Sequence, residues 1–188
     1  MSNVMVISRF TVAALLFGWV GAEIAEGQVR ANCKLAIVKD RGGVELVSVQ
    51  KDRSRIYFKR TPQENGRKFN NYGTTNPSGQ IIGSPAAWAC SQGSSSYTRL
   101  SLPTETDANF LLSCFEVNPS NWSVLSSDSQ KALDYYFPIP DPGFVAMYWT
   151  STVNPRSYTA TLLNLRMGQV AGAPYVQEYP VLCRADPK

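Results

Sequence analysis

The chain has 188 residues, of which 18 are Lys or Arg, 14 are Asp or Glu and none is His, for a formal net charge of +4. Without histidine, the Ser-His-Asp and Cys-His arrangements of nucleophilic catalysis are excluded. Hydrolysis by a pair of carboxylates stays open, although Glu105 and Asp107 are two residues apart, and such neighbours do not face each other on a helix.

The N-terminal segment, residues 1–25, has the layout of a secretory signal peptide. Arg9 precedes eleven uncharged residues, 10–20, and the small residues Gly21 and Ala22 follow. This apolar run is shorter than the roughly 20 residues that span a bilayer. We therefore expect a secreted, periplasmic or cell-surface protein. The alternative is an uncleaved N-terminus that anchors the chain to a membrane.

Residues 30–68 carry most of the positive charge, with eleven basic and four acidic residues and a net charge of +7. The β-rich runs 34–38 and 44–49 flank two glycines and predict a hairpin, and residues 55–59 predict a third strand. A basic face attracts polyanions, and the candidate contacts are Arg41, Lys51, Arg53, Arg55, Lys59 and Arg60. A solvated hairpin surface is the plainer interpretation. Aromatic residues are sparse here, so we expect no nucleic acid partner.

Residues 61–83 are rich in Asn, Gly, Thr and Pro, and we interpret them as a loop or linker. Ser84 and Pro85 then predict the N-cap and first residue of a short helix that Gly93 ends.

Thr104 and Asp107 predict a capping box for a second helix over residues 104–115. A third helix is predicted over 129–136. The pattern predicts strands over 147–152, 158–165 and 179–184, which together with the helices indicate an α+β fold. The side chains expected in the core include Trp88, Leu111, Leu112 and Trp149.

Four cysteines, an even number, follow the predicted signal peptide: Cys33, Cys90, Cys114 and Cys183. In an exported chain this favours two disulfides, for which three pairings are open, over buried free thiols. No spacing matches a CxxC metal knuckle. We predict neither a metal site nor a cofactor.

Four short segments resemble parts of C-type lectin-like domains. The segments Ala86-Ala87-Trp88-Ala89-Cys90 and Leu102-Pro103-Thr104-Glu105 resemble the opening two helices of that family. The strand Tyr148-Trp149-Thr150-Ser151-Thr152 resembles the YWSST strand of its bacterial members, and Val181-Leu182-Cys183-Arg184 resembles the closing strand. The likeness covers residues 84–185 and is to bacterial domains of the kind at the C-terminus of the Legionella collagen-like adhesin, related to intimin, invasin and fimbrial-tip modules.

This resemblance implies a looped α+β domain over residues 84–188, preceded by a basic β-rich extension over 26–83. It implies a disulfide between Cys90 and Cys183, which leaves Cys33 for Cys114. The chain has two more residues than the family between Arg99 and Pro103. It also lacks the calcium-dependent sugar motifs of animal lectins, so calcium-dependent sugar binding is not implied.

The resemblance implies a variable loop in the Ser- and Pro-rich region, whose aromatic residues could stack on sugar or anchor a protein. The candidate ligand-binding residues there and after the YWTST strand are Trp122, Tyr135, Tyr136, Asn154, Arg156 and Tyr158. A local hydrophobic cluster is the alternative interpretation.

We therefore expect a non-catalytic binding module, adhesin-like, whose partner is a host or envelope glycan or a protein. The alternatives are a structural or assembly subunit of an envelope or pilus-type complex and, less favoured, a carboxylate-based hydrolase.

Overall fold

The computed structural model describes residues 29–118, 121–138, 146–154 and 157–188, with the side chains of residues 65 and 121–123 excepted. The predicted signal peptide, residues 1–25, lies outside this part. The described fold is α+β. Its helices are α1 (Pro85–Gln92), α2 (Glu105–Leu112) and α3 (Ser127–Tyr136), with one short 3-10 helix (Gln63–Gly66).

The strands form antiparallel sheets. They are β1 (Cys33–Lys39), β2 (Glu45–Lys51), β3 (Ser54–Lys59), β4 (Thr74–Thr75), β5 (Ile81–Gly83), β6 (Thr98–Ser101), β7 (Val117–Asn118), β8 (Asn121–Leu125), β9 (Met147–Asn154), β10 (Thr159–Asn164), β11 (Gln169–Pro174) and β12 (Arg184–Pro187).

The largest sheet has five strands in the order β1-β2-β3-β12-β6. The predicted N-terminal hairpin and third strand are confirmed as β1, β2 and β3. Strand β12 pairs with β3 on one side and with β6 on the other. The basic extension and the C-terminal region therefore share one sheet. A second sheet contains β9, β10 and β11, and β4-β5 and β7-β8 form two-stranded pairs.

The turn between β1 and β2 is closed by the carboxylate of Asp40. One of its oxygens accepts hydrogen bonds from the backbone N–H groups of Gly42 and Val44, each at 2.8 Å, and the other accepts from the Thr98 hydroxyl at 2.7 Å. The Thr98 hydroxyl, with help from the two backbone N–H groups, lowers the pKa of Asp40 below its ordinary value. One side chain thus ties the first turn to β6.

Side chains that point alternately to the two faces of the strands form two hydrophobic cores. Successive side chains of a strand point to opposite faces of the sheet, and the chain repeatedly places a large apolar residue on each side. Val47, Tyr148 and Leu163 belong to one cluster, and their neighbours Leu46 and Trp149 belong to the other. Strands buried on both faces carry apolar residues at successive positions, as Leu46-Val47, Tyr148-Trp149 and Leu162-Leu163 do here.

We call these groups the first and second clusters. The first lies between the five-stranded sheet and helices α2 and α3; its large buried side chains include Phe58, Leu111, Phe115, Phe137, Tyr148 and Leu182. The second contains the buried face of α1 and the segments that cover it, with buried side chains that include Phe69, Ile81, Leu100, Trp149, Leu162 and Val181.

The first two helices begin at the predicted caps. The Ser84 hydroxyl accepts from Ala87 N at 3.0 Å, and Gly93 ends α1. Thr104 and Asp107 form the capping box of α2, in which Asp107 N donates to the Thr104 hydroxyl and Thr104 N donates to the Asp107 carboxylate. These contacts satisfy N–H groups that the helix itself leaves unbonded.

The two disulfides join Cys33 to Cys114 and Cys90 to Cys183, with Cα–Cα distances of 5.5 and 5.6 Å. Both expected pairings are confirmed. Each cluster contains one of the bridges. The bonds indicate an oxidising environment, extracellular or periplasmic. In the described part of the chain, no helix has the length and apolar character needed to cross a membrane.

Three expectations are corrected. Trp88 is 57% exposed and is not a core residue, because α1 buries only the face that carries Ala86, Ala89 and Cys90. The final strand covers residues 184–187 instead of 179–184. Residues 61–83 are also not a free linker, since Phe69 is buried in the second cluster.

The segment is a largely irregular loop, as predicted, but partners from distant segments hold residues 61–83 in place. Phe69 N donates to Tyr179 O at 2.9 Å, and Tyr179 N donates back to Phe69 O at 3.1 Å. Asn71 is fully buried, and its amide donates to Thr150 O at 3.0 Å.

Candidate ligand-binding surface

Three tyrosines and one asparagine come together where β9, β10 and β11 reach the same end of their sheet. Tyr158 is 75% exposed and Tyr72 is 68% exposed. The rings of Tyr72 and Tyr175 lie 6.5 Å apart. The Tyr175 hydroxyl donates to Asn154 O at 3.4 Å, and Tyr175 N donates to Tyr158 O at 3.3 Å. We call Tyr72, Asn154, Tyr158 and Tyr175 the tyrosine surface.

The backbone at Tyr158 has a left-handed conformation, with φ of 51°. This region is unfavourable for a large side chain and persists only where the surroundings hold it. The hydrogen bond from Tyr175 N to Tyr158 O holds one side of the turn, and Ser157 N donates to Asn154 O at 3.2 Å on the other. A strained backbone that presents an exposed aromatic residue is typical of a functional surface.

A groove of about 300 Å³ lies beside this surface and shares Asn154 with it. Thr159, the neighbour of Tyr158, also lines it. The Thr161 hydroxyl donates to the Glu105 carboxylate at 3.1 Å, and both side chains line the groove. The lining is completed by Thr152, Val153, Ala160, Val170, Ala171 and Gly172. The groove thus offers hydroxyl, amide and carboxylate groups next to exposed rings.

The other predicted ligand-binding residues do not join this surface. Tyr135 is 41% exposed on α3, and its carbonyl accepts a hydrogen bond from Arg60. No ring contact or hydrogen bond among the described residues connects Tyr135 with the tyrosine surface. Arg156 and the side chain of Trp122 lie outside the described residues.

Tyr136 is a core residue, which corrects its assignment to a ligand-binding surface. Its side chain is only 2% exposed and belongs to the first cluster. Its hydroxyl donates to Leu35 O at 3.0 Å. Burial, together with the neighbouring Tyr135, raises the pKa of the Tyr136 hydroxyl. A ligand could reach this ring only if α3 left the sheet.

The six predicted polyanion contacts divide between two ends of the N-terminal sheet. Lys51, Arg53 and Arg55 lie at the β2–β3 turn, whereas Arg41, Lys59 and Arg60 lie at the opposite end, since Leu46 is paired with Lys59 and Lys51 with Ser54. At about 3.3 Å per residue, the length of these strands separates the two groups by roughly 20 Å. The structure therefore does not bring all six together.

Several of these cations are already engaged. The Lys59 ammonium donates to the Gln63 side chain at 2.7 Å, and burial lowers the pKa of Lys59. Arg60 bonds the Glu45 carboxylate at 2.8 Å, which holds the pKa of Glu45 below its ordinary value. Lys51 donates to Ser113. The residues of the set that are exposed are Arg41, Arg53 and Arg55.

A second groove, of about 410 Å³, is lined in part by residues of β6. We call it the arginine groove because Arg99 and Arg184 both line it. Arg184 pairs with the Asp107 carboxylate at 3.2 Å and with Asp186 at 3.2 Å. Asp107 lines this groove, whereas Glu105 lines the groove beside the tyrosine surface. These two carboxylates therefore do not converge on one cavity.

The described part of the chain contains no group of Cys, Asp and Glu side chains arranged to hold a metal ion. Comparison of the chain with protein families, with curated proteins and with solved structures gives no match.

As ligand-binding residues the sequence singled out Asn154 and Tyr158 but not Tyr72 or Tyr175, and it considered Glu105 only for a carboxylate pair with Asp107. Tyr72 lies in the Asn- and Gly-rich segment 61–83, and no local signal places it next to Tyr175, which lies about a hundred residues further along the chain.

Proposed function

We propose that this protein is an exported, non-catalytic binding module that recognises a glycan at the tyrosine surface and the adjoining groove. The observation that carries the proposal is the exposed, strained Tyr158 beside a groove lined by Asn154, Thr159 and Glu105. Aromatic rings stack on the apolar faces of sugars, while amide, hydroxyl and carboxylate groups bond their hydroxyls.

Two further observations support this assignment. The two disulfides fit a protein that works in an oxidising compartment, where glycans of a host or of an envelope are presented. The resemblance to bacterial C-type lectin-like domains also favours binding over catalysis. The confirmed bridge between Cys90 and Cys183 is the one that this resemblance implied.

A glycan array tests the proposal with three forms of the protein. We expect wild type to bind a subset of the glycans and Tyr158→Ala to lose about tenfold in affinity, as for an aromatic anchor. Tyr97→Ala is the matched control, because Tyr97 is 42% exposed directly before β6 and is not part of the tyrosine surface. Equal binding by wild type and Tyr158→Ala would exclude the tyrosine surface as the site.

A protein ligand at the same surface would make the chain an assembly subunit of an envelope or pilus-type complex. Cross-linking in envelope fractions separates the two cases. A polypeptide cross-linked to wild type but not to Tyr158→Ala, with no array signal, would favour assembly.

The second candidate function is polyanion binding at the β2–β3 turn, where the exposed Arg53 and Arg55 lie beside Lys51. On a heparin column, the double variant Arg53→Gln/Arg55→Gln should elute at lower salt than wild type, because exposed charges are screened. Arg41→Gln is the control at the other end of the sheet. No retention of wild type at low salt would remove this candidate.

A further inference from the structure

The arginine groove is lined in part by β6, an edge strand of the five-stranded sheet. Strand β6 is the last strand of that sheet, so only β12 pairs with it, and α1 and β5 form the opposite wall. The volume of about 410 Å³ is within the range of small-molecule sites. No residue of the tyrosine surface lines the groove.

The carboxylate and amide oxygens of Asp107, Gln80 and Asn76 in the wall already accept hydrogen bonds. One oxygen of Asp107 accepts from the backbone N–H and the hydroxyl of Thr104, each at 2.8 Å, and both oxygens accept from Arg184 at 3.2 and 3.3 Å. The Gln80 side-chain oxygen accepts from Asn76 at 3.0 Å, and Asn76 accepts from Gln80 N at 2.9 Å.

Several hydrogen-bond donors in the wall of the groove, by contrast, have no partner. Arg99 is exposed, and its guanidinium has no hydrogen bond or ion pair with any described residue. Within the same described ranges, the Ser101 hydroxyl and the Gln80 side-chain NH₂ also have no acceptor. Arg184 Nε has no partner either, but it is closed to solvent, so a ligand cannot use it.

The pairing register places two of these donors side by side. Ser101 lies opposite Arg184, and Arg99 lies opposite Asp186, in the antiparallel pair of β6 and β12. Residues two apart on a strand share a face, so Arg99 and Ser101 point the same way. The Asp186 carboxylate bonds Arg184 at 3.2 Å, and Arg99 keeps its charge for a ligand.

A wall whose carboxylate and amide oxygens are engaged, while a guanidinium and an amide NH₂ are open, favours a ligand that is rich in acceptors and negatively charged. A guanidinium fork matches the two oxygens of a carboxylate. The side chain of Ile82 is 60% exposed at the same groove and offers an apolar contact. We propose that the arginine groove binds a carboxylated sugar, with its carboxylate on Arg99 and its hydroxyls on Ser101 and Gln80.

Calorimetric titration of the disulfide-bonded chain with glucuronate and with glucose tests this proposal. Wild type should bind glucuronate at least tenfold more tightly than glucose, the effect of one hydrogen-bonded charge pair. Arg99→Gln should lose about tenfold for glucuronate and nothing for glucose. Arg99→Lys, which keeps the charge without the fork, should fall between them.

Arg53→Gln is the matched control, since it removes an exposed arginine from the other end of the sheet and should leave glucuronate affinity unchanged. Tyr158→Ala should also bind glucuronate like wild type, so this test is independent of the proposed function. Equal affinity for glucose and glucuronate, or full affinity in Arg99→Gln, would overturn the assignment. An unchanged melting temperature of Arg99→Gln shows that its effect is on binding.

Discussion

The first and second clusters are built from the same strands yet depend on different parts of the chain. Helices α2 and α3 pack in the first cluster, and N-cap residues and the spacing of apolar residues mark their positions in the sequence. The second cluster depends on Phe69 and Ile81 from a segment without such marks. The comparison shows that a helix can be predicted from its own residues. The conformation of an irregular segment is instead determined by contacts with distant parts of the chain.

The tyrosine surface depends on the contacts that residues 61–83 make with distant segments. Tyr72 follows directly on Asn71, whose backbone N–H donates to Tyr175 O at 2.9 Å. The surface that we propose for ligand binding is therefore positioned by the same irregular segment that completes the second cluster.

Removing either disulfide should have the largest effect on stability. The bridges close loops with sequence separations of 81 and 93 residues, so loss of each should cost about 4–5 kcal/mol in the chain-entropy model. The measurement compares denaturant unfolding of the double variants Cys33→Ala/Cys114→Ala and Cys90→Ala/Cys183→Ala. Clearly unequal losses would show that one cluster is strained by its bridge or holds together without it.

The two tryptophans test whether the second cluster depends on burial. Trp149 is fully buried, and its indole N–H donates to Phe69 O at 2.7 Å. Trp149→Ala should cost about 3–5 kcal/mol in the free energy of unfolding. Trp88→Ala, at an exposed site on α1, should change it by less than about 0.5 kcal/mol. Similar losses in both variants would contradict the placement of Trp88.

Within the first cluster, the caps of α2 and α3 can be compared directly. The Thr104 hydroxyl accepts from Asp107 N at 3.1 Å, and the Ser126 hydroxyl accepts from Ser129 N at 3.2 Å. Thr104→Ala and Ser126→Ala should each lower the free energy of unfolding by about 1 kcal/mol. If either substitution left the denaturation midpoint unchanged, that helix would not depend on its cap.

The smallest effect concerns Asp40 and depends on pH. Its carboxylate has a lowered pKa in the folded protein, chiefly because of the Thr98 hydroxyl. Its stabilising contribution is therefore complete above the ordinary pKa of 3.8 and is lost as the pH falls through the lowered value. The denaturation midpoints of wild type and Asp40→Asn should differ at pH 7 and converge in acid. A difference independent of pH would show that the charge contributes nothing.

Much of the fold could be predicted where the signal is short-range. The hairpin between β1 and β2 follows from glycines at 42 and 43, and the caps at Ser84 and Thr104 follow from side chains that bond N–H groups three residues away. The disulfide pairing came instead from a family resemblance.

The candidate site was less predictable because its contacts join distant segments. Asn154 and Tyr158 flank one turn and could be anticipated together, but Tyr175 approaches them only after β10 and β11 have paired. Tyr136 was misassigned although it continues the helix face that carries Ala132 and Leu133, and packing in the first cluster buries its ring. The prediction for Trp88 was wrong in the opposite sense, because this residue was expected in the core and is exposed. The sequence of a short helix does not indicate which of its faces the rest of the protein covers.

The position of β12 has a consequence for the order in which the molecule matures. This strand comes after all other described strands in the chain, yet it lies between β3 and β6. While the polypeptide is still leaving the ribosome, the sheet is therefore two separate fragments, and Cys183 has not arrived to close its bridge. Completion waits for residues 183–187, so neither the central strand of this sheet nor the Cys90–Cys183 bridge can form before that segment is present.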